Sequence, residues 1–135
     1  MRKVISFVLA IIVVFVISSS VFASIPSGYS PQWSNIGSVV SSLAFSGTQG
    51  SAGGAVDAKS GASKVEGTLT VYKRSGNTWV YVDSDSDSTT TNSYVVLSVE
   101  FDGVSGTEYK SVFEVAVTKN GIEETATKYN YKTCP

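Results

Sequence analysis

From residue 38 onward, apolar and polar side chains alternate almost one for one, and nowhere in residues 24–135 does a helical period replace that alternation. Successive residues of an extended strand point to opposite faces. A chain written this way has one apolar side per strand and must stack its strands in layers to hide it. Val39, Leu43 and Phe45 make the first such side, ended by Gly47 and Gly50. Ala52, Gly54, Val56 and Ala58 alternate with Ser51, Asp57 and Lys59. The small residues of this second strand suit close approach by another layer. Val65, Leu69 and Val71 then oppose Lys64, Glu66, Thr68, Thr70 and Arg74. Ser75-Gly76-Asn77 turns the chain into Trp79-Val80-Tyr81-Val82, where either the two aromatics or the two valines must look outward.

Residues 83–92 contain no core residue and read as a solvated loop or as the polar part of an edge strand. Val95, Leu97, Val99 and Phe101 follow, then Tyr109, Phe113, Val115 and Val117. Asn120-Gly121 signals a tight hairpin, because both residues tolerate positive φ, and a last strand runs from Ile122 to about Tyr131. Seven strands with turns between them predict an all-β fold, a seven-stranded antiparallel immunoglobulin-like β-sandwich. Tyr109 opens the sixth strand, where sandwiches of this class often bond a tyrosine hydroxyl back to the preceding corner; an ordinary aromatic strand residue is the plainer reading.

The first residues carry a different message. Arg2 and Lys3 precede a stretch, residues 4–17, that is apolar apart from Ser6, and Val21-Phe22-Ala23 follows three serines. That is the layout of a removable export signal, with cleavage expected between Ala23 and Ser24. The rival reading is an uncleaved anchor, since residues 4–23 are long enough to span a bilayer core. The expected partition is a signal peptide over 1–23, a lead-in over 24–35, the sandwich over 36–131 and a C-terminal tail over 132–135. Such a chain is secreted and has no membrane association once the signal is cut.

Removing Arg2 and Lys3 turns 10 basic against 11 acidic residues into 8 against 11, a net charge of −3. No basic surface is left to hold phosphate, so nucleic acid is not an expected partner. The chain has no histidine and one cysteine. The commonest proton shuttle, an imidazole-ligated metal and an internal disulfide are therefore all excluded.

Taken in order, Pro31-Gln32-Trp33-Ser34-Asn35, Phe45-Ser46-Gly47, Lys59-Ser60-Gly61, Gly67-Thr68-Leu69-Thr70-Val71, Asn120-Gly121 and Lys132-Thr133-Cys134-Pro135 resemble a group of short secreted proteins of Gram-positive, often gut-dwelling, bacteria. That group carries a signal peptide and one small all-β domain. The resemblance covers essentially all of residues 24–135 and implies a class and a location. It brings no activity and no functional residue with it.

Candidate chemistry is sparse. Asp83, Asp85 and Asp87 have the spacing with which a calcium loop presents its first carboxylates, but Ser88 stands where such a loop needs glycine and Tyr94 where it needs a bidentate glutamate. The alternatives are a weak extracellular calcium site and a set of charges that solubilise a loop and block edge pairing. No serine lies three residues before any lysine of residues 24–135, which removes the histidine-free serine acyl-transfer signature. Glu123 and Glu124, as neighbours on a strand, should face opposite ways and so should not form a catalytic pair. No cofactor is expected, and the chain reads as a non-enzyme.

The aromatic residues carry the remaining interest. Tyr72 and Tyr94 should point outward, Tyr129 and Tyr131 share one face of the last strand, and Trp79 with Tyr81 is one of the two outward choices on the fourth. Aromatic rings in a row engage another protein or stack against sugars; packing of strand edges and of the lead-in is the plain alternative, and Trp33 and Trp79 read first as packing residues. Partners are thus an unknown protein or a glycan. Cys134, one residue from the end, is expected in an exposed tail, free or linking two chains.

Overall fold

The structure, a computed structural model, describes residues 32–135; the expected signal peptide and most of the expected lead-in lie outside the described residues. Seven strands follow one another with no helix between them: β1 (Ile36–Ser46), β2 (Gln49–Ala58), β3 (Lys64–Ser75), β4 (Thr78–Thr89), β5 (Tyr94–Asp102), β6 (Glu108–Lys119) and β7 (Ile122–Thr133). They form two antiparallel sheets, β1-β2-β5 and β4-β3-β6-β7, so the immunoglobulin-like sandwich is present. Its fourth strand borders β3 in the larger sheet, whereas in a constant-type immunoglobulin domain the fourth strand lies beside the fifth.

Local sequence explains the hairpins. Asn120 and Gly121 both take positive φ, 53° and 75°, which gives the two-residue turn whose twist matches the flanking strands. The inward residues are those picked out by the alternation: Val56, Val65, Leu69, Val95 and Phe113 are among the most buried, joined by Ile36 at the start of β1, which the alternation did not single out. Phe113 is fully buried and packs against Gly54 of the opposite sheet. A Cβ on Gly54 would stand 2.7 Å from its ring. Only glycine allows that approach, which is the use of the small-residue strand β2.

One end of the sandwich is closed by aromatic packing. Phe45, Phe101 and Tyr109 form a triangle with ring centroids 5.1 to 5.6 Å apart. The Tyr109 hydroxyl accepts a hydrogen bond from the Val104 N–H at 2.9 Å, so the tyrosine is tied back to the corner before its own strand. Cys134 packs into the same end. Its side chain is buried, 1% exposed; its N–H donates to the Thr107 carbonyl and its carbonyl accepts from the Gly106 N–H, each at 2.9 Å.

This corrects the expected exposed tail. β7 continues to Thr133 and Cys134 belongs to the core cluster. A thiol so enclosed meets no second chain without local unfolding, so the Cys134-linked dimer loses its accessible sulfur. Sequence position alone suggested fraying, but a terminus is ordered when its backbone is paired and its side chain fills a space.

Candidate interaction face

The fourth strand decides which side chains meet. Along the β3–β4 pair the register runs Arg74↔Trp79 and Tyr72↔Tyr81, then shifts, resuming at Val71↔Asp83. Val82 is the extra residue of this bulge, and a one-residue slip moves everything beyond it to the other face. Trp79 and Tyr81 therefore share the outer side with Tyr72 and Arg74. Asp83, Asp85 and Asp87 share the side of Val71, Leu69 and Gly67, on the core-facing side of the sheet.

Register then extends the outer rows across the sheet. Tyr81, Tyr72, Lys110 and Tyr131 stand in one row over all four strands. Val112 and Tyr129 stand in the next, beside Thr70. Five of the six aromatics singled out from sequence, Tyr72, Trp79, Tyr81, Tyr129 and Tyr131, are thus gathered on one face. Tyr81, Tyr129 and Tyr131 are 57 to 58% exposed, while Tyr72 and Trp79 are partly covered. Tyr94 is not among them: it lies on β5 opposite Asp57, on the outer side of the other sheet.

Two cations missed at the sequence level bind this cluster together. The Lys110 ammonium lies 4.6 Å from the Trp79 ring centroid and 5.0 Å from that of Tyr72. The Arg74 guanidinium lies 5.2 Å from Trp79 and forms an ion pair with Glu108 at 3.6 Å. Contacts of this kind contribute about 0.5–1 kcal/mol each where solvent reaches them. Trp79 and Tyr131 approach to 5.9 Å with planes inclined at 54°. The only sequence signal for Lys110 was its outward parity on β6; its position among rings depends on register.

The other half of the same face is acidic and rich in threonine. A shallow groove of about 460 Å³ runs between Glu66, Thr68, Glu114, Glu123, Thr125 and Thr127. Lys64 pairs with Glu66 at 2.9 Å. Glu123 lines this groove, while its neighbour Glu124 sits beside Val117 on the opposite side, as strand alternation requires.

Glu124 has another task, which sequence reasoning missed. Its carboxylate accepts the N–H groups of Ser34, Asn35 and Ile36 at 2.7 to 2.8 Å, fastening the segment that leads into β1. The Asn35 amide reinforces this by donating to the Val117 and Ile122 carbonyls. Burial pushes the Glu124 carboxyl up, but the three N–H donors and the nearby Lys59 charge outweigh it and hold it below the usual carboxylate range.

The aspartates of β4 form no calcium loop, because they lie on a strand. A calcium loop curls its backbone so that carboxylates converge on one ion, whereas an extended strand spreads Asp83, Asp85 and Asp87 along its length. Asp83 and Asp87 instead accept hydrogen bonds from the N–H of Ser84 and Ser88, each at 2.8 Å. Among the described residues, no group of three or more acidic or cysteine side chains is placed to hold a metal. Inward-pointing charge on an edge strand discourages another strand from adding to it.

No family model, no curated protein and no solved structure matches the chain.

Proposed function

We propose that this chain is an exported, non-catalytic interaction module that docks another protein on the outer face of its four-stranded sheet. The observation that carries the reading is the assembly of Trp79, four tyrosines, Arg74 and Lys110 on one exposed surface. Tryptophan, tyrosine and arginine are the residues that dominate binding energy at protein interfaces, because each offers a large contact area and a polar handle. A glycan is the competing ligand. Sugars stack on open ring faces, but Trp79 has both cations over its ring and lies steeply inclined to Tyr131. The export layout of residues 2–23 and the resemblance to secreted Gram-positive proteins support an extracellular or cell-surface setting.

A photo-crosslinking residue tests the face directly. Placed at position 131 and exposed to the producing cell's surface, it should give protein adducts; placed at Tyr94, on the other sheet, it should give none. Adducts from position 94 alone, or retention on immobilised glycans that disappears in Tyr131→Ala, would replace this reading.

A further inference from the structure

The outer face is not only aromatic; four of its charges are arranged symmetrically along the strands. On β6, Lys110 and Glu114 lie two residues to either side of Val112. On β3, Arg74 and Glu66 lie four residues to either side of Thr70. Thr70 and Val112 are register partners, so both charge pairs are centred on the same row of the sheet. One end carries Lys110 and Arg74 among the aromatic rings, with Glu108 beside Arg74, and the other carries Glu66, Glu114 and Glu123 among threonines, with Lys64 beside Glu66.

We infer that the occupant of this face is a second copy of the same chain, related by a two-fold axis that lies in the face along the Thr70–Val112 row. The inference rests on the reading of the face as a docking surface. Rotation about that axis exchanges the two ends of every strand while leaving each strand over its own counterpart. Lys110 of one copy then faces Glu114 of the other, Arg74 faces Glu66, and each contact occurs twice, as an isologous interface requires.

Val112 meets its own equivalent on the axis, and the Tyr72 and Tyr131 rings cover the Thr68 and Thr127 methyl groups. Among the described residues the ion pairs within the chain are Lys64–Glu66 and Arg74–Glu108, so Lys110 and Glu114 are both left to pair across the axis. Twisted sheets pack face to face at about 30°, which long lysine and arginine side chains can span.

Size is compatible with such a dimer. Four strand widths of about 4.8 Å and the five intervals of about 6.8 Å between outer rows make a face of roughly 650 Å², so two copies bury about 1,300 Å². That falls at the lower end of specific interfaces. A foreign partner has no reason to match a pattern that is complementary to itself.

The test uses residues 24–135, because the whole core lies within the compact unit Trp33–Pro135. Sedimentation should show a monomer–dimer equilibrium that weakens as salt is raised from 0.05 to 0.5 M, a range of roughly tenfold in ionic strength. Lys110→Glu and Glu114→Lys should each weaken dimerisation by about tenfold or more, since each sets like charges against one another twice. Mixing the two variants should restore it, because a mixed dimer re-forms both opposite-charge pairs. Glu114 is exposed, so Glu114→Lys should melt like the parent, whereas Lys110→Glu gives up its contacts with Trp79 and Tyr72 and should melt a few degrees lower while staying folded.

A wild-type chain that stays monomeric at every concentration, or a mixture that does not recover, overturns the dimer. The crosslinker at position 131 separates the two claims. Adducts at twice the chain mass support self-association, whereas foreign adducts alone overturn it and leave the docking face standing. Glycan retention with no adduct overturns both.

Discussion

The two outer surfaces of this sandwich are written in the same alternating pattern yet differ sharply. The face of β1-β2-β5 shows mainly small side chains on β1 and β2, Val40, Ser42, Ala44, Ser51, Gly53 and Ala55, with a single aromatic, Tyr94, and charge of one sign only, Asp57, Glu100 and Asp102. The face of β4-β3-β6-β7 shows five aromatic rings and both signs of charge. Alternation requires only that one side of each strand be apolar; it leaves the composition of the other side free, and here the chemistry is concentrated on one sheet. The larger face also has a fastened edge. β7, which carries Tyr129 and Tyr131, is anchored near its start by Glu124 and continues into buried Cys134.

The sharpest test of the contrast uses adjacent residues of β2. Gly54 points to the core and Gly53 to the plain face. Gly54→Val should cost about 1–3 kcal/mol or more, because its side chain must displace the Phe113 ring. Gly53→Ala should stay within about 0.5 kcal/mol, since only the movable Ser42 hydroxyl lies in its way. Denaturant titration of both variants checks this, and equal losses would mean that the two sheets are not closely packed at Gly54.

Next in size is the anchor at the end of β7. Cys134→Ser places a hydroxyl where the sulfur fills an apolar space and should cost about 1–2 kcal/mol. For a domain of this length that lowers the melting temperature by several degrees. The native thiol should resist alkylation until the fold opens. A variant that melts with the parent would return Cys134 to an exposed tail.

The anchor near the start of β7 should respond to pH. Because the folded Glu124 carboxyl is held below its ordinary value, its contribution is fully present above the usual carboxylate range and is lost as pH falls through the lowered folded value. Amide exchange at Ser34, Asn35 and Ile36 should therefore quicken in acid relative to the intrinsic rate, while Val104, bonded to the Tyr109 hydroxyl, keeps its protection. Glu124→Gln should abolish the difference. Unchanged protection down to the acid unfolding transition would show that the clamp is not electrostatic.

The smallest effect on stability is expected where the effect on binding is largest. Tyr131→Ala, on an exposed ring, should change stability by about 0.5 kcal/mol or less while removing partner adducts or dimer. Val96→Ala on the plain face should alter neither, which thermal melts alongside sedimentation would show.

Much of the architecture could be read from side-chain order. The inward set from Val39 to Val117 follows from period-2 alternation, and Asn120-Gly121 announces its turn because few residue pairs accept positive φ twice. The candidate aromatics could be named one at a time, but their assembly could not. Parity assigns a residue to a side of its own strand and carries no information about which residue stands beside it on the next.

β4 shows the division most clearly. In sequence, Trp79, Tyr81, Asp83, Asp85 and Asp87 form one unbroken alternating series, and nothing local separates the aromatics from the acids. The bulge at Val82 separates them, sending the rings outward to Lys110 and the carboxylates to the core-facing side of the sheet edge. Likewise, Cys134 is one residue from the end in sequence but enclosed in space by Gly103, Thr107 and the aromatic triangle. The sequence by itself determined the strands, most of their turns and their apolar sides, since these depend on residues within a few positions of one another. Register, the bulge, the sheet that β4 joins and the burial of the C-terminus were decided by tertiary structure, because each depends on which distant strand supplies the missing hydrogen bonds and fills the remaining space.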